Sequence, residues 1–366
     1  MKPKLCYVLP DVGADTHFSY NVDFVGYIRD QFDVFFVLEK GKAPSVQGVR
    51  IHAQRYRFFP ARYLENVVIL IRARLSGYTD FYVHYSFLSA LNASMITALF
   101  GGRVYYWNAG LPWNYPQNFL RRAFERVVYY AVDYVVTGTD GLARQYAARY
   151  HIARNKIKVI PNWIDTKKFA SAVSRFRSEK DAIKKDMNIA LDEKIVLFVH
   201  RLSHRKGAHY LPEIVQTLSD EKIVFIIIGG GSDRKQIESE FAARNVSDRV
   251  RMPGWMPASD LPKYFAISDV FIMPSDEEGF PHVLLESMAA PVSLVAYKVG
   301  GVEELLSVDM RKYAITSGDQ RSFIKTVREL IHMPAADLEA LARKEQACVQ
   351  QYDIARVIHM FSDLFI

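Results

Sequence analysis

The stretch VFIMPSDEEGFPHVLLESMAA, residues 270–290, places an apolar run directly before an amphipathic pattern, with Gly279 and Pro281 between them. Pro281 suits a first helical turn, where its missing N–H costs nothing. A buried strand turning straight into a helix is the unit of a parallel α/β sheet. The C-terminal edge of such a strand, facing a helix N-terminus with its partial positive charge, is where these sheets bind anionic ligands. Glu278 lies in the turn and Glu286 about one and a half turns into the helix. At a rise of ~1.5 Å per residue, the two carboxylates can meet separate parts of one ligand several ångströms long, and polyhydroxylated ligands suit such acceptors. The plainer reading makes Glu278 a helix cap and Glu286 a surface acid.

The same rhythm runs outward in both directions. Upstream, strands are predicted at 195–200, 223–228 and 250–252 and downstream at 293–297, with helices between them. Residues 4–9, a helix over 19–31 and a strand at 34–38 open an earlier series, continued by strands at 81–85, 103–107, 134–137 and 156–160. Residues 162–185 carry scattered Lys, Arg and Ser with no strand pattern and read as a connection. The expected division is a first α/β domain at 1–165, a linker at 166–190, a second α/β domain at 191–345, and a helical terminus at 346–366. At 366 residues the length fits two domains.

Composition bounds the function. Half the residues are hydrophobic and 24% charged, which excludes a mainly disordered or fibrous chain. Cys6 and Cys348 stand alone, so neither a disulfide framework nor a Cys-based zinc site is encoded, and a reducing cytosol fits. The opening MKPKLCYVLPDVG has too short an apolar run for a signal-peptide core, and no segment reaches the ~20 apolar residues of a membrane-spanning helix. Residues 1–175 hold 23 Lys and Arg against 12 Asp and Glu, a charge of +11, whereas the whole chain carries +7. A basic first half points to an anionic partner or to a solvated basic surface.

Two further motifs follow strands. In FVHRLSHRKG, 198–207, Arg201 and Lys206 leave the same sheet edge as the Glu278 turn and can neutralise a diphosphate; the alternative is a basic loop capping the next helix. In IIGGGS, 227–232, the third glycine of a dinucleotide-binding fingerprint is missing, which disfavours a dehydrogenase.

As an ordered set, HRLSHRKG, IIIGGGSDRKQIE, the segment from Arg249 to Ala289, VGGVEELL at 299–306 and VIPNWIDTKKF at 159–169 resemble the donor domain of glycosyltransferase family 4. These are retaining enzymes of GT-B architecture, two Rossmann-like domains facing across a cleft, with a C-terminal helix crossing back. Glu278 and Glu286 match the family's Glu-x7-Glu signature. The resemblance implies that Arg201 and Lys206 hold the diphosphate of a UDP-, GDP- or ADP-sugar, that Glu278 contacts the transferred sugar, and that Glu286 binds the ribose. The amides of Gly279, Phe280, Pro281's neighbours His282 and Val283, and Leu284 would grip sugar and phosphate oxygens. Trp255 and Met256 would border the base, and Gly13 would close over the diphosphate. His17 and Asn108 are candidates for the acceptor side. No Asp-x-Asp occurs, so neither a metal nor another cofactor is expected.

The sequence departs from the family at four places. His200 replaces a small residue before the Arg, Asn108 stands near a usual His, Pro291 and Ser293 replace Gly and Pro, and the first loop has one glycine instead of two. In the basic half, residues 50–78 interleave six arginines with aromatics against the single acid Glu65, and Phe119–Tyr130 has the same flavour. That composition suits an anionic membrane, or single-stranded nucleic acid, which the resemblance makes the less economical choice. The expectation is a cytoplasmic enzyme, peripheral on the inner membrane face. It transfers a hexose-type sugar to a glycan or lipid-linked acceptor in cell-envelope assembly. The alternatives are a nucleotide-sugar epimerase of the same fold and a non-catalytic membrane or nucleic-acid binding protein.

Overall fold

A computed structural model describes residues 2–11, 19–116 and 118–365. The chain divides into two compact units, Met1–Pro161 with Ile358–Ile366, and Asn162–Val357.

The first unit runs β1 (Lys4–Leu9), α1 (Ser19–Ile28), β2 (Asp33–Leu38), β3 (Arg50–Ala53), α2 (Phe59–Leu75), β4 (Asp80–His84), α3 (Phe87–Phe100), β5 (Arg103–Trp107), α4 (Phe119–Ala131), β6 (Tyr134–Thr137), α5 (Asp140–Tyr150) and β7 (Ile157–Val159). Its seven strands are parallel in the order β3-β2-β1-β4-β5-β6-β7. Alternation along β1 assigns the two faces. Cys6 and Val8 share a core with Leu70 of α2, Ala93 of α3 and Val128 of α4. Tyr7 points the other way, stacking on Tyr82 at 5.5 Å and meeting Phe24 of α1 at 6.4 Å.

The second unit runs α6 (Thr166–Arg177), α7 (Lys180–Asp186), β8 (Lys194–Val199), α8 (Leu211–Thr217), β9 (Ile223–Ile228), α9 (Arg234–Ala243), β10 (Val250–Gly254), α10 (Leu261–Ile267), β11 (Val270–Met273), α11 (His282–Ala289), β12 (Ser293–Tyr297), α12 (Val302–Leu305), β13 (Ala314–Ile315), α13 (Gln320–Ile331) and α14 (Ala335–Val349). Its six-stranded sheet has the order β10-β9-β8-β11-β12-β13. The last helix, α15 (Ile354–Ser362), ends in the first unit. There Phe361 lies edge-on to Tyr82 at 4.9 Å and to Phe24 at 5.0 Å, and the Tyr105 hydroxyl donates to the Leu364 carbonyl at 2.8 Å.

Each unit is thus a doubly wound α/β sheet of Rossmann-like order, the fold class expected. Two segments differ from the sequence reading. Residues 166–190 are not an open connection: they form α6 and α7 within the second unit. Asp165 caps α6 by accepting from the Lys168 N–H at 2.9 Å, and Phe169 and Val173, one turn apart, are buried, with the Phe169 ring 5.7 Å from Phe265 of α10. A two-residue apolar stripe among lysines and arginines is enough to anchor a short helix, yet too sparse to signal one. Residues 50–78, read as a basic and aromatic stretch, are β3 and the 17-residue α2. Pro60 stands in the first turn of α2, and its run Val67–Ile71 wraps the helix, so that Ile69 and Leu70 are buried while Val68 is exposed.

Candidate active site

In the second sheet the strand order turns back between β8 and β11, which pair directly. The loops leaving those two strands at their C-terminal ends therefore lie side by side, the position where open α/β sheets bind ligands. They are zipped together by backbone. The N–H groups of Asp276 and Glu277 donate to the Arg205 carbonyl at 3.0 and 3.1 Å. Gly207, at φ +70°, permits the approach, since a Cβ there would sit 1.7 Å from the Pro274 carbonyl oxygen. Gly300, at φ +53°, does the same for the loop after β12, where a Cβ would lie 1.6 Å from the Glu278 carbonyl oxygen.

This frame delivers three side chains to one point. Lys206 Nζ donates to Glu278 Oε2 at 2.8 Å and to the Glu277 carbonyl at 3.1 Å. His200 Nε2 is 2.9 Å from Glu278 Oε1. The His200 tautomer follows from its other nitrogen, because Nδ1 accepts the Arg201 backbone N–H at 2.8 Å and so cannot carry a proton while it does. The ring proton is on Nε2 and is donated to the carboxylate. Glu278 is only 4% exposed. Burial alone would push its pKa up, but the Lys206 ammonium, and then His200, hold it well below the usual carboxylate range, so it stays ionised. Burial is also the main reason His200 lies below its ordinary value; the positive charges of Lys206 and Arg201 add to it, against the pull of Glu278.

Glu286 is on α11 and, at 4% exposed, is buried and not a surface acid. Arg201, next to His200, has an exposed side chain. Trp255 is half exposed beside the glycine-rich turn, with its Cβ 3.8 Å from where a Gly230 side chain would begin, and Met256 packs partly on the core. Phe280, Val283 and Leu284 turn their side chains into the core, and the Leu284 N–H already donates to the Pro281 carbonyl at 3.3 Å, so that amide is spent within the helix. The backbone around Gly279 is held by Gly301, whose N–H donates to the Gly279 carbonyl at 3.1 Å, and by Asn162, whose amide donates to the Phe280 carbonyl at 2.7 Å. His282 meets the edge of the Trp163 ring. In the first unit Asn108 is buried, its amide nitrogen 3.5 and 3.4 Å from the Tyr106 and Tyr129 hydroxyls and its oxygen accepting from the Gly110 N–H at 2.8 Å. Its polar atoms are engaged inside that unit. Gly13 and His17 lie outside the described residues.

In the sequence His200 stood out only as the replacement of a small residue, and Asn162, within VIPNWIDTKKF, carried no assigned role. A residue directly after a strand and one before a candidate phosphate-binding Arg was the available signal. The IIGGGS turn also has a local duty: the Gly230 carbonyl accepts from the Leu202 N–H at 2.8 Å, which supports the loop carrying Arg201. Among the described residues, one group has ligand atoms close enough to share a metal ion, His204, His209 and Asp276, within 4.8 Å of one another. The two imidazoles stack at 3.8 Å and 9°, so their nitrogen lone pairs lie in nearly parallel planes.

Residues 26–168 match the family model Glycosyltransferase Family 4, and residues 179–347 match Glycosyl transferases group 1. The 2-deoxystreptamine glucosyltransferase of Streptomyces kanamyceticus is 25% identical over 223 residues, 60% of this chain and 57% of that protein. The UDP-Gal:alpha-D-GlcNAc-diphosphoundecaprenol alpha-1,3-galactosyltransferase of Escherichia coli is 26% identical over 220 residues, 58% of this chain and 54% of that protein. The chain thus spans about half the length of the curated relatives it matches. The Anabaena protein Alr3699/HepE, solved in complex with UDP and glucose, superposes with a TM-score of 0.80 at 16% identity, covering 99% of each chain. With a glycosyltransferase model matching in each half of the chain and the whole length following the Anabaena structure, the chain has the GT-B fold and carries two glycosyltransferase domains.

Proposed function

We propose that the protein is a retaining glycosyltransferase that moves a hexose-type sugar from a nucleoside-diphosphate sugar to an acceptor hydroxyl, with a lipid-linked or envelope glycan as acceptor. The observation that carries this is the cluster of Lys206, His200 and Glu278 at the switch point of the second sheet. The donor class is supported by the UDP and glucose named for the Anabaena structure, and the acceptor class by the lipid diphosphate in the name of the Escherichia coli relative. Nothing in the site or the matches favours an epimerase.

In this reading, breaking the bond between the anomeric carbon and the diphosphate oxygen builds negative charge on the leaving group, met by Arg201 and by the ammonium hydrogen that Lys206 has not given to Glu277 or Glu278. Glu278 has no proton to donate at neutral pH. It serves as an acceptor for sugar hydroxyls and as a negative charge facing the positive character that develops on the ring. His200, neutral with its N–H on Glu278, fixes the orientation of that carboxylate. The acceptor oxygen bonds to the anomeric carbon on the face the diphosphate leaves, and the acceptor proton passes to the departing phosphate oxygen. Because side-chain cations meet the diphosphate, we propose that no metal is needed and that transfer persists in EDTA. We also place the enzyme in the cytoplasm, where nucleotide-sugars are made; no described helix is long and apolar enough to cross a membrane.

Incubation with a donor and a lipid diphosphate or glycan acceptor, followed by NMR of the product's anomeric proton, tests the reading. Retained configuration with release of the nucleoside diphosphate supports it. Inverted configuration, or turnover of donor to an isomer without acceptor, contradicts it.

A further inference from the structure

The helices α2, α3 and α4 lie on one face of the first sheet, sharing one core beneath them, and they are neighbours in that order. The α2–α3 contact is fixed by a buried chain of amides: Asn92 Nδ2 donates to Asn66 Oδ1 at 2.9 Å, and Asn66 Nδ2 donates to Ser89 Oγ at 2.8 Å. At their C-terminal ends Arg74 donates to the Gly101 carbonyl at 2.6 Å. The α3–α4 contact is aromatic, with the Phe87 ring 5.6 Å from Tyr129.

A surface helix ordinarily turns charge outward. These three do not. On α2 the outward stripe is Leu64, Val68, Arg72 and Leu75, spaced by four, four and three residues; on α3, which has no charged residue at all, it is Met95, Leu99 and Phe100; on α4 it includes Leu120, Phe124, Val127 and Tyr130. Leu99 is 78% exposed and Phe119, opening α4, 82%. Phe58 and Phe59 extend the patch at the start of α2. Beside these apolar side chains stand Arg55, Arg57, Arg121, Arg122 and Arg126, and within the α2 stripe Arg72, all exposed. The acids of the same helices are withdrawn. Glu65 accepts the backbone N–H groups of Arg55 and Tyr56, and Glu125 is fully buried, paired with Arg121 at 3.2 Å and accepting from the Tyr150 hydroxyl at 3.0 Å.

We propose that the α2–α3–α4 face of the first unit docks on an anionic lipid bilayer, the side chains of α3 and their neighbours entering the acyl boundary while the flanking arginines reach the lipid phosphates. Aliphatic and aromatic side chains in the centre with arginines at the margin match the layering of a leaflet, apolar below and anionic above. A second copy of the chain seated on the same face would oppose arginine to arginine without an available acid. Single-stranded nucleic acid would use the arginines and aromatics but leave Leu64, Val68, Met95 and Leu99 without a role. The proposal rests on this face alone and not on the transfer reaction, so it can fail while the active-site reading stands, and the reverse.

Flotation of the full chain with vesicles of phosphatidylcholine, alone or mixed with phosphatidylglycerol, tests it. The intact protein should float with the mixed vesicles and far less with phosphatidylcholine, and the binding should weaken with salt. The triple substitution Arg57→Ser, Arg122→Ser and Arg126→Ser should lower the partition coefficient roughly a hundredfold, from about 1 kcal/mol per surface arginine. Leu99→Glu with Leu120→Glu should abolish flotation, while Val308→Glu, on an equally exposed residue of the second unit, should leave it unchanged. Unaltered circular dichroism and melting of the variants show that folding is not at issue. Absence of flotation by the intact chain overturns the proposal. So does conversion of a dimer to a monomer by the leucine variant without any vesicle binding, or binding to an oligonucleotide but not to vesicles that depends on the same arginines.

Discussion

The two units are built on one plan, a parallel sheet covered by helices, and they finish their surfaces in opposite ways. Among the described residues, fifteen exposed large hydrophobic side chains belong to the first unit and three, Leu191, Trp255 and Val308, to the second. The second unit puts its unusual chemistry inside instead, burying Glu278 and most of Lys206 in a charged cluster between two loops. Folding sets the same requirement for both, an apolar inner face. What each does with its remaining surface is therefore where function is to be sought: a charged cradle at a strand edge in one, an outward apolar face rimmed by arginine in the other.

The largest expected effect breaks the contrast at the charged cradle. Lys206→Ala should lower kcat by about a thousandfold, the scale of removing one preorganised charge-stabilising donor. It should also destabilise the second unit by about 3 kcal/mol, because Glu278 is left buried beside His200 alone. The double substitution Lys206→Met with Glu278→Gln should restore most of that stability and none of the rate, separating structural from chemical cost; kinetics and denaturant unfolding read both. Next, Gly300→Ala must displace the Glu278 carbonyl or the β12 loop. A loss of about 3 kcal/mol is expected, with kcat falling more than the exposed control Gly48→Ala, where a Cβ meets nothing within 4 Å.

The third test uses pH to show that each unit carries a neutral histidine largely withdrawn from solvent. In the first, His84 Nε2 lies 2.7 Å from the Tyr7 hydroxyl, and burial lowers its pKa to about 3. A depressed folded pKa gives stability that is present above the unfolded value near 6.5 and lost as pH falls below it. Acidification from pH 6.5 to 5 should therefore cost about 2 kcal/mol through His84. His84→Asn should flatten that part of the unfolding profile. His200 should act with the same sign in the second unit. The smallest effect concerns Glu345 of α14, fully buried, with its pKa pushed up by burial. A raised acid pKa costs stability as pH rises through the unfolded value, so Glu345→Gln should raise Tm by about 2 °C or more at pH 8 and less at pH 5.

Much of this was legible in sequence, and the exceptions have physical causes. Strand runs such as Ile223–Ile228 and Val270–Met273 are continuous because both faces are buried, and they announce a parallel sheet without help. Lys206 and Glu278 were readable because loops after strands on one sheet edge must share a side. The role of His200 was not, since it depends on a hydrogen bond to a residue 78 positions away and on which ring nitrogen the Arg201 amide takes. Likewise the arginines and aromatics of residues 50–78 were visible, but composition could not say that Ile69 turns inward and Val68 outward. That α3, a helix without a charged residue, exposes Met95, Leu99 and Phe100 follows only from its place between α2 and α4.

The central claim is that Lys206 and Glu278 form the seat of a sugar diphosphate. Thermal shift of the intact chain and of the Lys206→Met, Glu278→Gln double variant with UDP-, GDP- and ADP-sugars tests it most directly, since a ligand bound only by the native state raises Tm. The account predicts that one donor class raises Tm of the intact protein and leaves the double variant where it was. An equal shift in both proteins, or no shift with any of the three, would contradict it.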